Sequence, residues 1–475
     1  MDGMREVHVD PVELRRLERI LSPERAEALR RHQEAAEAAL RGRVVWNANA
    51  TATGGGVAEM LQTILAYGRG AGVDTRWLVL DGDPEFFTST KRLHNFLHGS
   101  PGDGGRLDTA VRDHYAAVLE RNLVDMRERV RPGDIVLLHD PQTAGMVAGL
   151  QEAGARVVWR CHVGRDEPHP LHDEAWEFLR PFLEGADGFV FSRRAYVPAW
   201  VPEDRLWIVP PSLDPFSAKN AELSDPDVAT VLRVAGLVAT RADGGSLDFA
   251  RRDGKVGQVR PRDSLMVDGE PVPGGARVVL QVSRWDRLKD MGGVLRGFVD
   301  NLDRMPEDAH LVLAGPDVLG VTDDPEGAAV LEECRALRRS LPDAARSRVH
   351  LTALPMDDID ENAHLVNALQ RYASVVVQKS LFEGFGLTVT EPMWKYRPVV
   401  ASAVGGILDQ IEDGVSGVLL PDPADADACA REVAALLSDR DRAHRLGVAA
   451  HDRVQDRYLG DRHLIQYAEL FAALL

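Results

Sequence analysis

Two carboxylates separated by seven residues stand at the centre of the chemistry this chain could do. Glu383 and Glu391 lie in Phe382-Glu383-Gly384-Phe385-Gly386-Leu387-Thr388-Val389-Thr390-Glu391-Pro392-Met393-Trp394. A carboxylate accepts two hydroxyls at once, which is what a sugar or a ribose offers. Gly384 and Gly386 let the backbone approach a ligand closely. The free N–H groups of a helix start favour an anion or a hydroxyl-rich group. An ordinary strand–turn–helix connection with two solvated acids has the same pattern, and short motifs match often by chance. Pro392 lacks an N–H and is comfortable only in a first helical turn, so the helix is predicted to begin near Thr390, with Thr390 as N-cap.

A second constellation is cationic. Arg284 and Lys289 lie in Ser283-Arg284-Trp285-Asp286-Arg287-Leu288-Lys289-Asp290, just after a strand-like run. A planar guanidinium fork and a mobile ammonium form a suitable pair for a diphosphate. The competing reading is surface pairing with Asp286 and Asp290. A glycine triplet, Gly54-Gly55-Gly56, opens another helix after a strand, yet it is neither a Walker loop nor a full dinucleotide fingerprint, and alone it reads as a tight turn. His162 alone is more often a satisfied histidine than a catalyst, and His94, His98 and His114 read as ordinary polar residues. Asp81-Gly82-Asp83 has the form of a metal-binding acidic pair, but a loop turn is favoured because Asp225-Pro226-Asp227 and Asp425-Ala426-Asp427 repeat it. No cluster suggests zinc, and no nucleophile elbow suggests a hydrolase.

These residues need elements to hold them. Residues 1–42 read as one or two amphipathic helices, with Ser22 as cap and Pro23 at the first helical position. Strand-like runs then alternate with helical ones: Arg43–Asn47, Thr75–Leu80, Asp134–Leu138, Arg156–Arg160, Gly188–Phe191 and Leu206–Val209. Such alternation predicts a parallel, doubly wound sheet that binds ligands at the carboxyl ends of its strands. Pro210 to Pro215 marks a boundary. A second series runs through Arg277–Val282, His310–Gly315, Val349–Leu351, Ser374–Gln378, Pro398–Ala401 and Gly417–Leu420. The predicted division is a helical segment 1–42, a domain 43–215, a domain 216–455 and a C-terminal helix 456–475 that could return to the first domain. Residues 231–276, with Thr240 to Gly275 rich in Gly, Arg and Asp, read as an exposed insertion, either a small β ribbon or a mobile loop. Asp268-Gly269 is a candidate hairpin turn.

The 475 residues suffice for two or three domains with full cores. With 56 basic and 74 acidic residues the formal charge is −18, which argues against a general nucleic-acid binder. Three scattered cysteines fit a reducing cytosol, and no run approaches the ~18 apolar residues of a membrane span. A cytoplasmic protein is expected.

Together these residues resemble the retaining nucleotide-sugar glycosyltransferases of the GT-B fold. That fold is α/β, with two Rossmann-like doubly wound domains facing across a cleft. Glu383/Glu391 match the family's E-x7-E motif, and Arg284/Lys289 match its Arg–Lys pair. The similarity is closest to the trehalose-forming branch, through Gly54 to Met60, Phe86 to Asn95, His139 to Gln142, Trp159 to His162, Pro210 to Pro215 and Glu383 to Trp394. The resemblance implies transfer of glucose from an NDP-glucose to a sugar acceptor, free glucose, with retention. It implies no cofactor and no required divalent metal. Positive groups at Arg284 and Lys289, and backbone N–H groups at Gly54, Gly55, Gly56, Leu387 and Thr388, would meet the diphosphate. Glu391 would hold the ribose. Glu383, with Gly384, Phe385, Gly386 and His162, would address the donor sugar, His162 from the other domain. Asp140, Lys91, His94 and Asn95 are weaker acceptor candidates. A homodimer is suggested by the resemblance alone.

Three features depart from the family pattern: the insertion, Pro392 in place of the more usual alanine, and Gly164-Arg165-Asp166-Glu167-Pro168 after His162. The last leaves the acceptor open, and the ADP, UDP or GDP identity of the donor is equally open. Rival expectations are a retaining trehalose phosphorylase, a related transferase with another acceptor, and a nucleotide-sugar sensor without catalysis.

Overall fold

The computed structural model describes residues 3–52, 56–241, 244–318 and 325–475, the last from Pro325 by its backbone. Gly54 and Gly55 lie outside the described residues. The chain forms two compact units, Met1–Ser212 with Tyr458–Leu475, and Leu213–Arg457.

The first unit is built on seven strands: β1 (Arg5–Val7), β2 (Val45–Asn49), β3 (Thr75–Val79), β4 (Ile135–His139), β5 (Arg156–Cys161), β6 (Gly188–Phe191) and β7 (Leu206–Ile208). Their spatial order is β1-β3-β2-β4-β5-β6-β7. All pairings are parallel except β1, which runs antiparallel on the β3 edge. Successive side chains of a strand face opposite ways, so alternate residues enter two cores. Trp46, Leu138 and Trp159 pack on one face, and Val45, Leu137 and Val158 on the other. The second face is covered by the helices Gly56–Gly70 and Gly460–Leu474. The C-terminal helix is tied down by the bidentate Arg25–Asp461 pair, 2.8 Å at its closer contact. Ser22 caps the helix Pro23–Ala39, as expected. The short strand β1 was not foreseen, because three residues carry no readable periodicity.

The second unit contains β8 (Val238–Ala239), β9 (Asp248–Ala250), β10 (Val256–Gln258), β11 (Met266–Asp268), β12 (Val272–Pro273), β13 (Arg277–Val282), β14 (Ala309–Pro316), β15 (Val349–Leu354), β16 (Val375–Gln378), β17 (Val399–Ser402) and β18 (Val418–Leu420). Its main sheet has the order β11-β15-β14-β13-β16-β17-β18. It is parallel apart from the edge strand β11.

Residues 231–276 combine a ribbon, β9 with β10, a parallel pair, β8 with β12, and one strand, β11, that joins the main sheet. Asp268-Gly269 is not a hairpin turn: β11 before it pairs with β15, whereas β12 after it pairs with β8. Gly269 still takes the left-handed conformation a turn needs, at φ +92°. Charge holds the insertion in place. Arg251 pairs with Asp358, Arg252 with Asp360, and Arg260 and Arg262 with the fully buried Glu361, all at the start of the helix Ile359–Tyr372. Local periodicity cannot reveal partners roughly a hundred residues away.

Candidate active site

In the second sheet the parallel strands start at β13, add β14 and β15 on one side, then cross to β16, β17 and β18 on the other. The loops leaving β13 and β16 therefore diverge at a topological switch point, where an open parallel sheet offers a crevice. Lys289 ends the first loop and Glu383 sits in the second. Lys289 Nζ lies 2.5 Å from Glu383 Oε2, and Ser380 Oγ donates to the same oxygen at 3.2 Å. The backbones are joined as well: Leu381 N–H donates to the Leu288 carbonyl at 2.7 Å. Beneath them the fully buried Lys379 pairs with Asp290, whose carboxylate caps the helix Met291–Asp300 through Gly293 N–H. Arg284 points elsewhere. Its guanidinium is exposed and its ion pair is with Asp286 at 3.0 Å. The structure thus brings Lys289 together with Glu383 and leaves Arg284 in the surface pairing that was its competing reading.

The helix after Glu383 is Leu387–Trp394, not a helix beginning near Thr390. Gly386 precedes it at φ +85°, and a Cβ there would stand 2.9 Å from Glu383 Cγ. Thr390 is no cap; its hydroxyl bonds the Gln410 side chain. Pro392 falls late in this short helix, where its missing N–H forfeits one hydrogen bond. Tertiary anchoring compensates: Gln410 Nε2 donates to the Phe385 carbonyl at 2.5 Å. A Cβ on Gly406 would meet Phe385 Cα at 2.6 Å, so only glycine admits this close approach. The earlier start puts Leu387 and Thr388 in the first turn, where backbone N–H groups are free for a ligand.

Glu391 is buried within a cage of polar side chains. Gln370 Nε2 donates to its Oε2 at 3.1 Å, and Lys219 Nζ lies 3.4 Å from its Oε1. Gln370 is itself aimed by Lys395, whose Nζ donates to Gln370 Oε1 at 2.6 Å, to Asn220 Oδ1 at 3.0 Å and to the Glu391 carbonyl at 3.2 Å. Burial pushes the Lys395 ammonium well below the usual lysine range, opposed by Glu391 and assisted by Arg371 and Lys219.

The first unit gathers its own set. Asp140 follows β4 in the left-handed region, φ +63°, and its Oδ1 accepts the His162 N–H at 2.8 Å. Burial raises its carboxyl to about 7, against the pull of the His162 N–H and of Arg160. His162 Nε2 lies 3.1 Å from His139 Nδ1, and His139 Nε2 lies 3.0 Å from Asn47 Oδ1. Lys91, His94 and Asn95 share one face of the helix Pro84–Leu97. His94 stacks edge-on against His98, which bonds the Gly164 carbonyl at 3.1 Å. That contact joins the helix to the divergent segment after His162. Asp83 is the N-cap of the same helix and pairs with His114, a structural use. Gly56 opens its helix at an exposed position.

Nothing in the sequence points to Lys219, Gln370, Lys379 or Lys395, because a lone polar residue carries no positional signal. Gly405-Gly406 after β17 was a legible βα turn. Among the described residues no group of three or more His, Cys, Asp or Glu is placed to hold a metal ion, and no helix is long and apolar enough to cross a membrane.

Residues 47–198 match the family model of the trehalose synthase N-terminal domain, and residues 267–453 that of the group 1 glycosyl transferases. The trehalose synthase of Thermococcus litoralis is 34% identical over 423 residues, covering 89% of this chain and 88% of its own. A trehalose phosphorylase of Pleurotus pulmonarius is 26% identical over 86% of this chain but only 54% of its own. Among solved structures, an α,α-trehalose-phosphate synthase (UDP-forming) of Burkholderia xenovorans superposes with a TM-score of 0.65, at 14% identity, over 91% of this chain and all of the other. That likeness shows the fold, GT-B, with two Rossmann-like domains.

Proposed function

This chain belongs to the trehalose synthase family of glycosyltransferases, and from that membership we propose that it transfers glucose from a nucleoside diphosphate glucose to free glucose, forming trehalose with retention at the anomeric carbon. The observation that carries the reading is the meeting of Lys289 with Glu383 at the switch point of the second sheet. As the glycosidic bond to phosphate breaks, negative charge grows on the diphosphate and positive charge on the sugar ring. A fixed ammonium meets the first and a fixed carboxylate tempers the second. Lys289 and Glu383 are one such pair, already oriented by Ser380 and the Leu381–Leu288 backbone bond. Arg284, exposed and held only by Asp286 among the described residues, is free to swing to the diphosphate. The first-turn N–H groups of Leu387–Trp394 add positive potential.

Glu391 takes the ribose hydroxyls, with its carboxylate pre-set by Gln370 and Lys219. His162 and Asp140 address sugar hydroxyls from the first unit. The leaving phosphate takes the acceptor's proton during front-side attack, so no separate protein base is required. Fixed protein cations take the place of a divalent metal.

The test is product analysis with ADP-, UDP- and GDP-glucose and labelled glucose, with and without chelator. Labelled trehalose from one donor, at an unchanged rate in chelator, is the expected outcome. Phosphate-dependent breakdown of trehalose with no nucleotide requirement would replace this reading with a phosphorylase. Loss of activity in chelator, restored by Mg²⁺, would overturn the metal-independent part.

A further inference from the structure

β2, β4 and β5 are neighbours in the first sheet, with Asn47 opposite Leu137 and His139 opposite Arg160. The register carries three polar side chains into line at the sheet's carboxyl end. Asn47 and His139 are buried at 3% and 1% exposure, whereas His162, just past β5, is only half-buried. His139 Nε2 stands 3.0 Å from Asn47 Oδ1, and His139 Nδ1 stands 3.1 Å from His162 Nε2. The two rings lie 13° from parallel, with centroids 5.4 Å apart.

An amide oxygen can only accept. With the Asn47 oxygen turned toward it, His139 carries its proton on Nε2. In neutral His139 the other nitrogen, Nδ1, is then a lone pair and can only accept from His162 Nε2–H. Neutral His162 is left with a lone pair on Nδ1, for which the described residues supply no partner. The surroundings keep both rings neutral. Burial pushes His139 down to about 3 and His162 well below the usual histidine range, and the Arg160 cation adds to both. Arg160 is itself held by His463 and Tyr467 of the C-terminal helix, and His463 is also pushed down. Asp140, the acid beside the array, spends Oδ1 on the His162 backbone N–H.

We propose that Asn47 and His139 are positioning residues that hold His162 in the Nε2–H tautomer, so that Nδ1 can accept a hydrogen bond only from a substrate sugar hydroxyl. The inference rests on the reading of His162 as a sugar contact. It adds the sense of that contact: the sugar donates and the imidazole accepts. Substrate lacking that hydroxyl, or methylated on it, has nothing to donate.

The histidine ring ¹⁵N shifts of the full-length protein test the chain without any substrate, with the His162 signals assigned from His162→Ala. The expected result is an Nε2–H tautomer for both His139 and His162. An Nδ1–H tautomer at His162 overturns the proposal outright.

Two variants then separate positioning from folding. Asn47→Asp places a carboxylate on His139 and favours its doubly protonated form, whose Nδ1–H donates to His162 and turns its tautomer over. kcat should fall about tenfold or more at low pH and recover as pH rises, an ascending limb absent from the native enzyme. Asn47→Leu should lower kcat about tenfold at every pH. Nucleotide affinity should change less than twofold in both. A native pH profile for Asn47→Asp with native ¹⁵N shifts overturns the proposal. If His162→Ala keeps full activity while the shifts are as expected, the sugar-contact reading fails and the tautomer assignment stands.

Discussion

Lys289 Nζ and Glu383 Oε2 lie 2.5 Å apart, although ninety-odd residues separate them in the chain. Each is a fixed charge of the sign that the other half of a breaking sugar–phosphate bond requires. Held together, they neutralise each other until a diphosphate competes for the ammonium.

Lys289→Ala is therefore expected to lower kcat by about 10²–10³, the usual cost of removing a donor that stabilises developing charge, ~3–4 kcal/mol. The donor KM should change far less than kcat. Steady-state kinetics with varied NDP-glucose measures both, and an equal fall in affinity with unchanged kcat would assign Lys289 to ground-state binding alone.

Gln370 fixes one oxygen of Glu391 and is itself oriented by Lys395. Gln370→Leu should raise the donor KM and the nucleotide Kd about ten- to a hundredfold, the worth of one charged hydrogen bond, with kcat within threefold. Calorimetric titration with the nucleoside diphosphate gives the Kd directly. Unchanged affinity would remove Gln370 from the ribose site.

Asp140 contributes a pH dependence of definite sign. Its carboxyl rises from an ordinary 3.8 to about 7 in the fold, chiefly through burial. The folded state thus binds this proton more tightly than the unfolded chain. Its contribution to stability is complete below about pH 4 and is lost as pH climbs through about 7. Asp140→Asn should raise Tm at pH 8 and make little difference at pH 4, since an amide oxygen can still accept the His162 N–H. Thermal denaturation across that range checks it. His139 works in the opposite sense. Depressed to about 3, it contributes stability above about pH 6.5 that is lost on acidification.

Glu361 is fully buried, with Arg260 and Arg262 as its charged partners. Arg260→Met should cost ~3 kcal/mol by leaving part of that carboxylate's hydrogen bonding unmet, seen as a lower midpoint in urea. kcat should stay within twofold if the insertion serves only to brace the second unit. A large loss of kcat with native stability would give the insertion a catalytic role.

Much of the architecture was legible from pattern alone. The strands of both parallel sheets announce themselves as short apolar runs between helical stretches, because a strand buried on both faces needs little else. Ser22-Pro23 marked a helix start correctly, since cap and first-turn chemistry are local. The same local logic failed at Pro392. Local chemistry places Pro392 in a first turn, but Gly386 and Gln410 set the helix start from outside it. It failed again at Asp268-Gly269, where a turn-forming pair joins strands of two different sheets.

The residue types already carried the chemistry. Two acids seven apart, a lysine and an arginine after one strand, and histidines after two others say what could be bound, because those properties reside in single side chains. Which of them meet was settled by topology. The crossover at β13 brings Lys289 to Glu383 while Arg284 stays on Asp286, and adjacent strands align Asn47, His139 and His162. Hydrogen bonds a few ångströms long between residues tens to hundreds apart depend on strand order and register, and those exist only once the whole sheet has formed.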